Sequence, residues 1–451
     1  MKIGEEFEVT IEKISNLGLG ICRVNGFVIF VENSCPNDRL KIKISKLNKN
    51  FGHGFITEIL EPSVHRTVPF CPMQKVCGAC QFQHIDYNYQ LEIKRQIVKE
   101  TIHNIGGIDI EIPSPIPSPQ IKNYRRKIQY PVSETKNSKR ILAGYYKQSS
   151  HELLNIKYCP IQPKICDEII EFIRENAPKF NIHGYIEQKH SGDLRHIVIR
   201  SSSINNKNLV CLVVNNNKIS QNLENFAKAI YENFEEVSGV CINLNNKKSN
   251  IILGNKTVFI VGNKHIEEYI NGKKFLISAE TFFQVNPRSA ENIFKYVKDY
   301  IKNNFKEPLV LDAYAGISAF GICISDVAEK VVTIEENNNS VELAKKSVEL
   351  NKIDNIEIHC GDAGEYFSNE KRLFDVVIID PPRKGCSIRS LNEAYRLCKD
   401  TIIYVSCNPA TLARDLKYLK QKGCIIESIQ PFDMFCHTYH IENTAIIKVN
   451  K

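Results

Sequence analysis

No stretch of this chain stays apolar long enough to span a bilayer, and its opening residues, Met1-Lys2-Ile3-Gly4-Glu5-Glu6, lack the apolar core of a secretory signal. Membrane and exported classes are excluded on that reading, which leaves a soluble cytoplasmic protein as the expectation. Repeats of fixed period and long low-complexity tracts are also missing, so no solenoid is expected. Charge of one sign is not strongly in excess. The 59 Lys and Arg against 51 Asp and Glu leave +8, which permits a polyanionic partner such as nucleic acid and fits an ordinary basic surface equally well. A complete G-x-G-x-x-G is absent, which argues against a dinucleotide cofactor, because its pyrophosphate needs that turn.

What is present points to a multidomain protein. At 451 residues, 43% of them hydrophobic, the chain exceeds one ordinary core, and two or three domains are expected. Residues 1–62 read as a small antiparallel β unit with strands at 7–11, 21–24, 27–31, 40–44 and 54–60, and Asn25-Gly26 supplies a two-residue hairpin turn. Short strands with such turns suit an OB-like barrel that binds RNA. Lys41, Lys43, Lys46 and Lys49 either follow a phosphate backbone or form a solvated strand face.

Sixteen cysteines in a reducing compartment are not expected to pair, so a clustered subset points to metal or catalysis. Cys71, Cys77 and Cys80 fall within one short stretch, with Gly78 letting the chain fold back, and Cys159-Pro160 resembles the last ligand of an iron–sulfur site. The gap between Cys71 and Cys77 is unlike the short gaps of zinc knuckles, which places zinc behind an iron–sulfur cluster and unligated thiols last. These cysteines fall in a central α+β domain, residues 63–270. Its pattern turns helical over 86–105, with Asp86 as cap, Leu91, Val98, Ile102 and Ile105 on one stripe, and Lys94, Arg95 and Lys99 on the other faces. This helix is a candidate to dock on the catalytic domain. Residues 112–119 read as a proline-stiffened linker, and Asn123-Tyr124-Arg125-Arg126-Lys127 either as a grip for the phosphates and bases of single-stranded RNA or as a solvated strand end.

Residues 271–451 change character. Apolar strands at 309–311, 331–334, 355–359, 375–379 and 401–405 alternate with helices, the pattern of a doubly wound, Rossmann-like α/β sheet. The first strand ends in Asp312-Ala313-Tyr314-Ala315-Gly316, and Glu335 ends the second, placed to take both ribose hydroxyls of an adenosine. S-adenosylmethionine, an adenosine without phosphates, fits those strand ends. Asp380-Pro381-Pro382-Arg383 and Ser406-Cys407-Asn408-Pro409 occupy two further strand ends, and Glu442 leads into a last strand near the same mouth. Pro409 biases Asn408 away from helix and so puts Cys407 on a sharp turn. A thiol and a carboxylate converging on a methyl donor suit a pyrimidine. Its fifth carbon is a poor nucleophile until a thiolate adds to the sixth, and a base must then remove the displaced proton.

At these residues the chain resembles the RNA (uracil-5-)-methyltransferase family. The likeness covers nearly the whole sequence: a TRAM module over the OB-like barrel, the cysteine pattern, Phe282-Phe283-Gln284-Val285-Asn286, Asp312 to Gly316, Asp380-Pro381-Pro382-Arg383, Ser406-Cys407-Asn408-Pro409 and His440-Ile441-Glu442. The resemblance implies that Cys407 is the nucleophile and Glu442 the base. It further implies that Gln284, Tyr314, Glu335, Asp362 and Asp380 line the S-adenosylmethionine site, and that Cys71, Cys77, Cys80 and Cys159 hold a 4Fe-4S cluster. TRAM and four cysteines together look like the branch that acts on 23S ribosomal RNA, with a transfer-RNA enzyme as the alternative and a monomer expected. A non-catalytic RNA-binding factor would have no use for Cys407 and Glu442. Two positions depart from the family: Ser318, where many methyltransferases carry a second glycine, and Cys436, where relatives usually carry proline.

Overall fold

The computed structural model describes residues 1–451. They form two compact units, Met1–Ser118 with Pro381–Ser387 and Tyr404–Lys451, and Pro119–Asp380 with Ile388–Ile403.

The first unit begins with a six-stranded sheet whose strands, numbered along the chain, lie in the order 1-5-6-4-3-2. Asn25 and Gly26 both take left-handed backbone angles, φ 50° and 82°, as the predicted hairpin between Gly20–Val24 and Phe27–Val31 requires. Alternation places Val9, Ile11, Cys22, Ile29, Val31, Leu40, Ile42 and Ile44 in one apolar core. A two-residue strand, Lys13–Ile14, is too short to read from sequence.

The helix Tyr87–Gly106 follows. Asp86 caps it by accepting the N–H groups of Asn88 and Tyr89, and Gly107 ends it in a left-handed conformation. Its buried face differs from the predicted stripe. Gln90, Ile93, Lys94, Ile97, Val98, Thr101 and Ile102 point inward, whereas Ile105 is 40% exposed. Lys94, read from sequence as an outward charge, is fully buried because its ammonium donates to Asp433 Oδ1 at 2.6 Å and to the Phe435 carbonyl at 3.0 Å. The second oxygen of Asp433 accepts the Tyr87 hydroxyl at 2.7 Å. Residues 112–118 are more than a linker: Ile116 pairs in parallel with Phe432, its N–H donating to the Pro431 carbonyl.

In the second unit, helices Lys164–Asn176 and Gln221–Asn233 accompany a six-stranded sheet, in which Asn208–Val214 pairs in parallel with Val237–Leu244 and antiparallel with Leu194–Ser201. Parallel strands Leu309–Ala313, Lys330–Glu335, Ile356–Cys360 and Phe374–Ile379 then alternate with helices as expected. In the first unit, Ile425–Phe432 and Glu442–Lys448 form an antiparallel pair, the former unanticipated from sequence. Numbering the seven strands of this carboxyl-terminal sheet along the chain gives the order 3-2-1-4-5-7-6, a doubly wound arrangement with an antiparallel hairpin at one edge.

Removing one member of a buried ion pair strands the other. Lys94→Met is therefore expected to destabilise the protein by about 3–5 kcal/mol, read as a lower urea midpoint with unchanged slope. A midpoint equal to wild type would show that Asp433 is satisfied without the ammonium.

Candidate active site

In the second unit the chain turns sharply after Leu309–Ala313. Tyr314, Gly316 and Ser318 all take left-handed φ values, 61°, 57° and 58°. Only at Gly316 is this free of steric cost, and a side chain built there would meet open space, so the backbone is accessible to a ligand. Ser318, in place of a second glycine, keeps the turn and exchanges a hydrogen bond with Thr333 at 3.0 Å. Glu335 fixes the loop from the next strand, Oε2 accepting the Gly316 N–H at 2.9 Å and Oε1 the Asn337 N–H at 2.8 Å. Each carboxylate oxygen retains a lone pair for a hydroxyl donor.

A cleft with about 360 Å³ of empty volume, partly open to solvent, lies beside this loop. Gln284, Tyr314, Gly316 and Asp380 line it, and Phe294 and Phe320, ring centroids 4.5 Å apart, supply an apolar wall. Phe282, on the loop that carries Gln284, is 60% exposed at its edge. Glu335 reaches the cleft through its bond to Gly316. Asp362 is not in the lining; it caps the helix Ala363–Asn369 by accepting the Glu365 N–H at 3.0 Å.

Asp312 is completely buried and accepts the Gly321 N–H at 3.0 Å. Burial, with the negative charges of Asp380 and Glu335, pushes its carboxyl up to about 8 against the pull of that hydrogen bond. Asp380 is pushed up to about 7 by desolvation, although its surface stays partly open to the cleft. Acidic groups held back from ionising suit a cationic ligand, which lowers the cost of their charge.

In the first unit, Cys407 follows the last residue of the strand Cys398–Ser406 and is half-buried. Asn408 is extended, φ −133°, as the following proline dictates, and caps the helix Pro409–Gln421 through Ala410. The thiol therefore sits one residue ahead of the cap of that helix, at its amino end. The turn Pro381–Ser387 is stapled to that helix. Asn408 Nδ2 and Thr411 Oγ1 donate to the Arg383 carbonyl at 3.2 and 3.3 Å, and Asp415 accepts the Cys386 N–H and the Tyr404 hydroxyl at 2.9 and 2.7 Å. Glu442 opens the final strand and is 5% exposed. Its neighbour Asn443 donates to the Ser406 carbonyl at 3.4 Å, so Cys407 and Glu442 emerge at the same end of adjacent strands.

Other sequence expectations fare differently. Tyr124 is buried and cannot present its ring to a base, and Arg126 turns inward, donating to the Ser202 carbonyl at 3.3 Å. Cys436, where a proline was expected, is wholly buried; desolvation, then Asp433, pushes its thiol up to about 12. Cys71, Cys77 and Cys80 share one loop of the first unit, and Cys159 belongs to the second unit. No group of three or more His, Cys, Asp or Glu side chains is placed to hold a metal ion. The sequence reading missed Asp415, Asn443 and the Phe294–Phe320 wall, which carry no motif.

A cleft at the strand ends of a doubly wound sheet, with an acidic residue closing the second strand, is an arrangement that methyltransferases use. Residues 86–450 match the tRNA (Uracil-5-)-methyltransferase family and residues 1–57 the TRAM domain. A Clostridium acetobutylicum protein named an uncharacterized RNA methyltransferase is 37% identical over 454 residues, 99% of this chain and 98% of its own. One of the same description from Clostridium tetani is 35% identical over 450 residues, 99% and 97% of the two chains. Among solved structures, the Pyrococcus abyssi tRNA (uracil-54, C5)-methyltransferase in complex with S-adenosyl-L-homocysteine matches with a TM-score of 0.77 and 26% identity, covering 98% of this chain and 100% of that one. The chain belongs to the RNA (uracil-5-)-methyltransferase family, with a TRAM domain at its amino end, and is an S-adenosylmethionine-dependent RNA methyltransferase.

The raised carboxyl of Asp312 has a thermodynamic signature. Between the unfolded value near 4 and the folded value near 8, the native state holds a proton that the unfolded chain has released, so stability falls as pH rises through that window. Asp312→Asn keeps an oxygen to accept the Gly321 N–H and removes the titration. Relative to wild type it should gain up to about 1.4 kcal/mol per pH unit from pH 5 to 8. Urea melts at several pH values check this, and a constant difference between the two proteins would refute it.

Proposed function

We propose that the protein methylates the fifth carbon of a uridine in RNA through a covalent adduct on Cys407. The convergence of Cys407 and Glu442 at one strand end, tied by Asn443 and Ser406, carries this reading. Cys407, as thiolate, adds its sulfur to the sixth carbon of the base. The electron pair displaced onto the fifth carbon makes that carbon nucleophilic. S-adenosylmethionine, when bound, supplies a methyl group on a sulfonium; Gln284, Tyr314, Glu335 and Asp380 would hold it. Glu442 then removes the proton from the fifth carbon, the double bond re-forms and the thiolate departs.

The substrate we assign is 23S ribosomal RNA, a reading supported by the joint presence of TRAM and the four cysteines. Transfer RNA is the second reading, favoured by the Pyrococcus abyssi enzyme, which is named for tRNA and covers 98% of this chain. Incubation with labelled S-adenosylmethionine and undermethylated total RNA, followed by nucleoside analysis and mapping of the label, tests base and substrate together.

We also assign a 4Fe-4S cluster to Cys71, Cys77, Cys80 and Cys159. Burial pushes the thiols of Cys71 and Cys77 up, and the backbone N–H groups of Met73 and Gln74 at Cys71, and of Ala79 at Cys77, oppose that push. A bound cluster would supply a cross-link and take no part in methyl transfer.

Two predictions follow from these assignments. Cys407→Ala should bind RNA and cofactor yet transfer no methyl group, whereas Glu442→Gln should accumulate a methyl-labelled protein–RNA adduct that survives denaturing electrophoresis. Turnover near the wild-type rate in either variant would refute the mechanism. Anaerobically purified protein should be brown, with about four irons and four sulfides per chain; stoichiometric zinc without visible absorbance would refute the cluster.

A further inference from the structure

We propose that the cysteine loop 71–80 is a positioning device for the general base, because both of its flanks grip His437, the residue from which the chain runs through 438–441 into Glu442. This inference rests on the reading of Glu442 as base.

Phe70, immediately before Cys71, meets the His437 ring edge-on with centroids 4.9 Å apart. Phe82, two residues after Cys80, donates its N–H to the His437 carbonyl at 2.9 Å. The amide nitrogen of Gln90 joins the two sides, lying 3.3 Å from His437 Nδ1 and 3.0 Å from the Phe82 carbonyl. His437 is buried and held at φ 64°, a left-handed conformation costly for histidine that persists only where its surroundings impose it. Four residues upstream, Asp433 is anchored by Lys94 and Tyr87; two residues downstream, Tyr439 packs on Gly18. Between those anchors, the residues that bracket the thiols grip His437 together with Gln90, and the Tyr87 ring lies against it with centroids 6.1 Å apart. Whatever orders the loop 71–80 thereby orders the approach to Glu442, and its loosening should slow proton removal from the fifth carbon while leaving addition and methyl transfer intact.

His437→Leu removes the Gln90 contact and disfavours the left-handed angle. His437→Asn tolerates that angle and keeps an oxygen near the position of Nδ1. In single turnovers with labelled S-adenosylmethionine and a uridine-containing substrate RNA, His437→Leu should raise the methyl-labelled covalent adduct several-fold above wild type with cofactor affinity unchanged, and His437→Asn should restore the wild-type level. Adduct at the wild-type level in His437→Leu, while Glu442→Gln traps it, overturns the positioning role and leaves the function standing. If Glu442→Gln traps nothing, the base assignment fails and the positioning role falls with it. A second measurement does not depend on activity. In Cys71→Ser, deuterium uptake over residues 434–442 should be faster than in the wild-type protein, and equal uptake overturns the proposal.

Discussion

A lysine and an aspartate with no solvent contact hold the first unit together. Lys94 and Asp433 are each wholly buried, and hydrogen bonds compensate their charges there: Asp433 receives an ammonium and a phenol, and Lys94 also reaches a carbonyl. Desolvating two ions is expensive, and a well-packed apolar pair would often be at least as stable. What the ionic pair adds is direction. An apolar contact would tolerate sliding of the helix Tyr87–Gly106 along the 433–440 segment, whereas these bonds fix one register, and the segment ends at Glu442.

A related logic governs the cofactor loop. Three left-handed residues within five positions make a tight turn that only Gly316 adopts without cost, and Tyr314 and Ser318 are held there by neighbours. The turn brings backbone to the cleft, while Asp312, Glu335 and Asp380 concentrate potential negative charge around it. Without a cation, protons on Asp312 and Asp380 relieve that concentration. A sulfonium and its amino group offer positive charge in their place, so cofactor binding and deprotonation of the cluster favour each other.

Much of this was legible in the sequence, for local reasons. Asn25-Gly26, Asp86 with Gly107, and Ser406-Cys407-Asn408-Pro409 specify turn, caps and strand end through backbone preferences of the residues themselves, and each is found as read. Alternation of strand and helix in the last third reflects burial on both sheet faces, which periodicity reports well. Lys94 was misread because a lysine on an amphipathic helix faces water unless a distant partner calls it inward, and its partner lies 339 positions away. Tyr124 beside two arginines has the composition of an RNA grip, yet composition does not say which way a side chain points. The strand Ile425–Phe432 escaped notice because its partner, Glu442–Lys448, is beyond a segment with no turn signature. The cysteine loop was visible as a cluster, but its flanks, Phe70 and Phe82, gave no sign of their attachment to His437.

Gly18 shows what such attachments do to modularity. It belongs to the TRAM domain, turns with φ 77°, and would place any side chain 2.7 Å from the ring of Tyr439. Tyr439 also joins an apolar cluster with Ile14, Cys35, Phe82 and Ile93, so the TRAM domain, the flank of the cysteine loop and the approach to Glu442 share one patch of core. A domain joined by a tether can be exchanged for a relative's without consequence for its neighbours. Here, a grafted TRAM domain would have to reproduce a bare backbone at this turn, and drift in the amino-terminal sequence is constrained by a tyrosine near the carboxyl end.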